Sequence, residues 1–212
     1  MKILQAIQTY SSQPITHQMV LSLLADYKRP NDKIHDLIKK GDLQVLRRGL
    51  YMADPLFSVV QPEPFLIANH LMGPSYVSID SALSYYGLIP EKVFEISCVT
   101  IKQSRKFSNA TGNYHYIQLP LPYYSFGINN VVFNGNQSVM LASPEKAIFD
   151  KIVTTKGVVF RSIYQAHQYL LQNLRVDEEG LKKLNLEEMK LWIADAPKNT
   201  SLKIVIKMIE SL

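Results

Sequence analysis

The spacing of apolar residues predicts three short helices in the first forty positions. In each segment, apolar side chains recur three or four residues apart, as an amphipathic helix requires. They are Ile3, Leu4 and Ile7 in the first segment, Met19, Val20, Leu23 and Leu24 in the second, and Ile34, Leu37 and Ile38 in the third. Thr16 is placed to cap the second helix, and Asn31 or Asp32 to cap the third. Gly41 supplies a left-handed stop.

A two-stranded hairpin is predicted directly after the third helix. Residues 43–46 and 50–53 are suited to short strands, and Arg47-Arg48-Gly49 suits a three-residue turn with glycine in the left-handed conformation. Each helix has one apolar stripe that it cannot bury alone, so the helices and the hairpin are expected to close a small core together. We therefore predict a winged helix-turn-helix domain over residues 1–55.

The remainder of the chain predicts a second domain, over residues 56–212, in which helices and strands are mixed. Residues 54–64 carry prolines without helical periodicity and are predicted to be a linker. Helices are predicted over 65–71, 79–86 and 144–155, with Ser78 and Ser143 as caps, and again from Arg161 onward. Strands are predicted over 94–101, 106–108, 114–119, 130–133 and 138–141. The predicted fold class is α+β, a winged helix followed by a mixed α/β domain with an antiparallel sheet and a helical C-terminal region.

Charge is concentrated at the N-terminal end. The net charge is +5, and residues 1–55 contribute eight Lys/Arg against five Asp, a balance of +3. A mild basic excess is compatible with a nucleic-acid partner. The opening segment is too polar for a signal peptide, and no stretch is apolar enough for a membrane helix, so we expect a cytoplasmic protein with no membrane partner.

Basic and polar residues of the third helix and the hairpin are candidates for DNA contact. With Ile34, Leu37 and Ile38 facing inward, the opposite face of the helix is polar. Arg29 and Asn31 lie at the end that normally enters the major groove, and Arg47 and Arg48 lie at the hairpin tip, where phosphates or the minor groove are met. Asp32 and Asp36 oppose phosphate contact. The alternative is that these are solvated charges on a protein-binding winged helix.

The chain offers little support for enzymatic chemistry. Its five histidines do not form a metal-binding pair, and its single cysteine, Cys98, excludes an internal disulfide and a cysteine-rich zinc site. Ser143, Pro144 and Glu145 are explained by helix capping rather than by a Ser/Lys catalytic pair with Lys146. The Glu188-x-Lys190 spacing of some nucleases is common by chance. We therefore predict no catalytic residue, no metal and no cofactor.

A second candidate surface lies in the β-rich region. Lys102, Arg105 and Lys106 are basic and lie in a chain that is rich in tyrosine. Exposed aromatic side chains near such cations serve as interface anchors, although most tyrosines are half-buried packing residues. We predict Lys102, Arg105 and Lys106 as a candidate interaction surface of the second domain.

Three sequence blocks, taken in order, resemble the AbiEi family, the antitoxins of type IV toxin–antitoxin systems. The first is the predicted winged helix ending in Arg47-Arg48-Gly49-Leu50-Tyr51. The others are VSIDSALSYYGLIP at residues 77–90 and ASPEKAIFD at residues 142–150. The resemblance covers roughly residues 1–155, and the second and third blocks are its specific part.

This resemblance implies a binding protein with two functions in abortive infection against phage. The winged helix is expected to bind inverted repeats in double-stranded operator DNA and so repress the antitoxin–toxin operon. The C-terminal domain is expected to counteract a nucleotidyltransferase-like toxin, without an assumed direct complex. The expected DNA-binding residues are Lys28, Arg29, Asn31, Lys33, His35, Lys39, Lys40, Arg47, Arg48 and Tyr51. The alternative is a winged-helix transcriptional regulator whose C-terminal domain senses a ligand or a protein, with no toxin partner.

Overall fold

A computed structural model describes residues 2–57 and 60–212, and the side chains of Lys2 and Phe57 are not described. Residues 58 and 59 of the predicted linker lie outside the described residues. Residues 2–53, here called the N-terminal unit, contain three helices and three strands. These are α1 (Lys2–Thr9), β1 (Ile15–Thr16), α2 (His17–Leu23), α3 (Pro30–Lys40), β2 (Leu43–Arg47) and β3 (Leu50–Ala53). The strands form an antiparallel sheet in the order β1-β3-β2.

The helix ends of the N-terminal unit follow local capping chemistry, with one correction. The Thr16 side chain accepts a hydrogen bond from the Met19 N–H at 3.2 Å, which confirms the predicted cap of α2. The predicted cap of α3 at Asn31 or Asp32 is wrong, since both residues lie inside the helix and Arg29 precedes it. The helix begins at Pro30, because proline has no N–H to satisfy in the first turn and its φ already suits a helix. Gly41 ends α3 in the left-handed region, with φ +85°.

The hairpin turn is one residue shorter than predicted. Arg47 is still part of β2 and lies opposite Leu50, so only Arg48 and Gly49 connect the strands. Gly49 has φ +79°, the left-handed conformation predicted for it. The register shifts between Val45 and Arg47, which leaves Leu46 without a partner on β3, as in a β-bulge.

Residues 64–212, here called the second unit, are built around a six-stranded sheet. A short 3₁₀ turn (Pro55–Phe57) precedes it. Its helices are α4 (Pro64–Leu71), α5 (Ile79–Tyr85), α6 (Pro144–Thr154), α7 (Ile163–His167), α8 (Glu178–Lys182), α9 (Leu186–Trp192) and α10 (Asn199–Glu210). A π-helical segment (Gln168–Asn173) continues α7. The strands are β4 (Ser75–Val77), β5 (Glu95–Thr100), β6 (Arg105–Asn109), β7 (Gly112–Gln118), β8 (Ile128–Phe133) and β9 (Gln137–Ala142).

The sheet of the second unit is mixed rather than antiparallel as predicted. Its order is β6-β7-β5-β4-β9-β8. The pairs β5/β7 and β4/β9 are parallel, and the pairs β6/β7, β4/β5 and β8/β9 are antiparallel. The three-residue strand β4 is absent from the sequence prediction, because so short a segment between Pro74 and Ser78 has no measurable alternation. Yet β4 lies in the middle of the sheet, antiparallel to β5 and parallel to β9.

The hairpin of the N-terminal unit is packed against the second unit. Helices α1, α2 and α3 enclose a core of their own, but Leu46, Leu50 and Met52 belong to the large core of the second unit. The Asn109 side-chain amide of β6 also donates a hydrogen bond to the Leu46 carbonyl at 3.0 Å. The hairpin is therefore held at a fixed position against the second unit.

Truncation of a hairpin side chain tests this packing. We expect Leu50→Ala to lower the free energy of unfolding by about 2–5 kcal/mol, because Leu50 is buried between the units. Val45→Ala, on the same hairpin but at a side chain that is 40% exposed, should cost under about 1 kcal/mol. Urea denaturation of the full chain measures both. Equal losses would contradict the assigned packing.

Candidate nucleic-acid interface

The outer face of α3 and the two residues before the helix present six of the ten predicted DNA-contacting residues to solvent. Ile34 and Leu37 are buried and fix the rotation of the helix. The exposed residues at or near this helix are Lys28, Arg29, Asn31, His35, Lys39 and Lys40, and Lys33 is half-buried. The exposure of Lys39 and Lys40 agrees with the prediction that they lie furthest from the core, and the half-buried Lys33 agrees with its predicted place on the flank of the helix.

Acidic residues lower the net positive charge of this face of α3. Arg29 lies 3.7 Å from the Asp32 carboxylate, and both side chains are mostly exposed. Such a pair contributes little to stability and leaves the guanidinium free to exchange partners. The Lys33 ammonium lies 5.9 Å from the centre of the Tyr27 ring. The face thus combines cations with Asp32 and Asp36, as its sequence indicates.

Tyr51, predicted as a DNA-contacting residue, lies in the core. Its side chain is only 7% exposed, and its hydroxyl lies 3.1 Å from His17 Nδ1. All four residues of β3 are buried, so closeness to the hairpin turn does not expose Tyr51. Tyr51 is therefore a packing residue and does not belong to the exposed set.

The hairpin arginines meet two cations of the second unit at a cleft of about 350 Å³. It is lined by Arg47 and Arg48 of the hairpin and by Lys102 and Arg105 of the second unit. We call this the basic cleft. Leu71, Met72, Gly73 and Phe107 complete its wall. Among the described residues that line it, none is acidic, so the field inside the cleft attracts anions.

Contacts within the second unit position the cations of the basic cleft. The Arg105 guanidinium lies 4.8 Å from the centre of the Phe107 ring, a cation–π distance. The Lys102 ammonium donates a hydrogen bond to the Gly73 carbonyl. Lys106 follows Arg105 in β6, and successive strand residues point to opposite faces. Its ammonium therefore lies outside the basic cleft, 3.4 Å from the Glu95 carboxylate. The predicted surface of three cations is thus divided between two faces.

The Ser143-Pro144-Glu145-Lys146 block belongs to a helix cap and a buried polar network. Ser143 Oγ accepts a hydrogen bond from the Lys146 N–H at 3.2 Å, as the capping prediction requires. Lys146 and Asp150 are both fully buried, and Nζ lies 3.2 Å from Oδ1. Nζ also donates to the Tyr123 carbonyl at 2.8 Å. This lysine is not accessible to a substrate from solvent.

Asp150 is the centre of this network. It accepts hydrogen bonds from the hydroxyls of Ser78 at 2.7 Å, Tyr76 at 2.9 Å and Tyr123 at 3.0 Å. Ser78 stands at the start of α5, yet its side chain does not cap the helix as predicted, because it is committed to Asp150. Burial lowers the pKa of Lys146, and the Asp150 carboxylate opposes that shift. Burial and the same carboxylate raise the pKa of Tyr76 and Tyr123.

A second cleft, of about 340 Å³, lies in the second unit beside α5 and α6. It is lined by Asp80, Ile89, Glu91, Lys92, Val93, Lys151, Asn173 and Leu174. Its charges are largely paired, since Lys151 Nζ lies 2.7 Å from an Asp80 carboxylate oxygen and Glu91 pairs with Arg175.

Within the described part of the chain, no group of three or more His, Cys, Asp or Glu side chains is arranged to hold a metal ion. No described helix is long and apolar enough to span a membrane.

Comparison with known proteins shows a shared fold at low sequence identity. No protein-family model and no curated protein matches the chain. The structure is similar to the crystal structure of the RV2827C protein from Mycobacterium tuberculosis, with a TM-score of 0.65. The likeness covers 99% of this chain and 75% of that chain, at 11% sequence identity. At that identity the comparison establishes the α+β architecture.

The sequence does not predict that the four cations of the basic cleft lie close together. Arg47 and Lys102 are far apart in the chain, and neither lies in a motif that refers to the other. The only sequence signals were two separate basic clusters. In contrast, the i,i+4 spacing of Lys146 and Asp150 on a strongly capped helix is a signal from which the buried pair could have been found.

Proposed function

We propose that this protein binds double-stranded DNA and represses its own operon, with the N-terminal unit acting as a winged helix-turn-helix. The observation that carries the proposal is the basic cleft, where the hairpin arginines converge with Lys102 and Arg105. Phosphate contacts position a protein on the duplex, and side chains of a helix in the major groove read the bases. Four unopposed cations beside the hairpin suit the first role, and the exposed face of α3 suits the second.

In this proposal, α3 contacts the bases and the arginines contact the phosphates. Asn31, His35 and the lysines of α3 carry donors and acceptors suited to base edges. Asp32 and Asp36 disfavour close approach of phosphates on that face. The arginines of the hairpin and the basic cleft therefore supply most of the salt-dependent affinity.

We further propose that the second unit counteracts a nucleotidyltransferase-like toxin encoded in the same operon. The support is the resemblance of residues 77–90 and 142–150 to the AbiEi antitoxins. In this structure those two blocks are joined through the Ser78–Asp150 hydrogen bond. In this proposal the protein is a cytoplasmic antitoxin without an active site.

Two measurements with the full chain test the proposal. Fluorescence anisotropy should show tighter binding to a duplex from the chain's own promoter than to a scrambled duplex of the same length. Co-expression with the product of the adjacent gene should restore growth that the product alone inhibits. Equal affinity for both duplexes would remove the repressor function, and unrelieved growth arrest would remove the antitoxin function.

The cleft beside α5 and α6 favours an alternative, a transcriptional regulator whose second unit senses a ligand. Its lining combines apolar side chains, among them Ile89 and Leu174, with paired charges, which is compatible with a small polar molecule. The neighbouring gene separates the two proposals. A nucleotidyltransferase reading frame beside this one favours the antitoxin, and its absence favours the sensor.

A further inference from the structure

One edge of the six-stranded sheet is formed by a strand without charge. Strand β8 stands at the end of the sheet and, within the described residues, pairs only with β9. Its sequence is INNVVF, and the chain has no Asp, Glu, Lys or Arg from Phe107 to Pro144. The opposite edge, β6, carries Arg105 and Lys106. Natural proteins place charges or prolines on exposed edges to prevent pairing, so β6 is protected in this way and β8 is not.

The hydrogen-bond pattern shows which peptide groups of β8 face outward. The Ser143 N–H donates to the Gly127 carbonyl at 2.8 Å, which makes residues 127 and 143 a hydrogen-bonded pair. In an antiparallel ladder such pairs alternate, so the peptide groups of Ile128, Asn130 and Val132 point away from β9. Consistently, the N–H of Met140, opposite Asn130, points away from β8 to the Asn69 side chain at 2.7 Å. In the described part of the chain no second strand pairs with β8, so the N–H and C=O groups of Ile128, Asn130 and Val132 can pair with a further strand.

The sheet face beside this edge is exposed and uncharged, with two apolar side chains among polar ones. Residues that face each other across the β8/β9 ladder project on the same side of the sheet. The pairs Asn130/Met140 and Val132/Ser138 therefore share one face. Val132 is 60% exposed and Met140 is 41% exposed. The Glu63 carboxylate lies at the end of the hairpin, 3.5 Å from the Asn134 amide. Depletion of charge around exposed apolar side chains is typical of the centre of a protein interface.

We propose that β8 is the contact surface between two copies of this chain, which join edge to edge as antiparallel strands about a two-fold axis. A two-fold centred on Asn130 pairs Asn130 with Asn130 and Ile128 with Val132 of the second copy. Apolar side chains then face apolar ones, amide faces amide, and about six main-chain hydrogen bonds form. Two copies of a chain carry the same charges, and pairing through the uncharged edge places no like-charged side chains in close contact. An uncharged strand offers nothing to phosphates, which argues against nucleic acid as the occupant.

A charge-swap experiment at the symmetry axis tests the proposal. Sedimentation equilibrium of the wild-type chain should show a dimer that dissociates on dilution. Asn130→Asp and Asn130→Lys each place like charges opposite each other, and each should weaken association by about tenfold or more. Mixed in equal amounts, the two variants should form a heterodimer, because opposite charges now face each other. Asn130→Ala, which keeps the outward-facing N–H, is the matched control and should remain dimeric.

The wild-type chain by itself also decides the question if a variant fails to fold. Hydrogen exchange of the β8 amides should slow as concentration rises, while exchange in β6 stays constant. A wild type that is monomeric at about 100 µM would overturn the proposal, since an interface weaker than that is not a specific dimer. A dimer that all three Asn130 variants retain would overturn it too, because the contact would then lie elsewhere. Protection of β8 that appears only with a second protein would assign the edge to that protein instead.

Discussion

Replacing Asp150 by alanine is expected to lower the free energy of unfolding by about 3–5 kcal/mol. The substitution leaves the Lys146 ammonium fully buried without its carboxylate partner. It also removes the acceptor of three hydroxyl groups, those of Tyr76, Ser78 and Tyr123. Each buried hydroxyl without a partner costs about 1–3 kcal/mol, and these losses overlap rather than add. Urea denaturation followed by circular dichroism measures the change.

Two further variants identify the source of this loss. Asp80→Ala also breaks an ion pair with a lysine, Lys151, but that pair is partly exposed, so we expect a cost below about 1 kcal/mol. Lys146→Met combined with Asp150→Leu removes both buried charges together and should recover part of the stability lost in Asp150→Ala. The recovery is incomplete because the three hydroxyls keep no acceptor. Similar losses for Asp150→Ala and Asp80→Ala would show that the buried network does not form.

The double substitution Arg47→Ala and Arg48→Ala is expected to weaken promoter binding by about tenfold to a hundredfold at physiological salt. Both arginines are exposed at the hairpin and line the basic cleft. Each phosphate contact that is lost removes about one unit from the slope of log affinity against log salt, so the slope should fall by about two units. Anisotropy titrations at several salt concentrations measure both quantities. Relief of toxicity in co-expression should be unchanged, because it is assigned to the second unit.

A charge-matched control separates local contact from net charge. Lys203→Ala with Lys207→Ala removes the same two positive charges from exposed positions on α10. This variant should keep the wild-type salt slope. If it loses as much affinity as the arginine variant, binding depends on overall charge and the hairpin assignment is wrong. Substitution of Lys102 and Arg105 to alanine should reproduce the arginine effect if the whole cleft contacts the phosphates.

Local features of this fold could be predicted from the sequence, because their causes lie within a few residues. Ser143 followed by Pro144 starts a helix for reasons contained in those residues, and the structure has α6 there. Gly41 and Gly49 adopt the left-handed conformations that their positions require. The helix stripe of Ile34 and Leu37 determines which side of α3 faces solvent.

Features that depend on contacts between distant segments could not be predicted. Ser78 has the position and chemistry of a helix cap, but the carboxylate of Asp150 competes for its hydroxyl at 2.7 Å. Tyr51 lies next to the hairpin turn, but its side chain packs into the core of the N-terminal unit, where its hydroxyl lies 3.1 Å from His17 Nδ1. The short strand β4 exists because its neighbours pair with it on both sides. The basic cleft needs two segments that meet only in the folded chain.

The hairpin whose inner side chains lie in the core of the second unit limits how this protein can be recombined. Exchange of residues 1–55 for a homologous segment would transplant Leu46, Leu50 and Met52 into a core shaped for other side chains. It would also separate the Leu46 carbonyl from Asn109. The hairpin and the second unit must therefore be exchanged together, and under the proposed function a change of DNA specificity would be made on the outer face of α3.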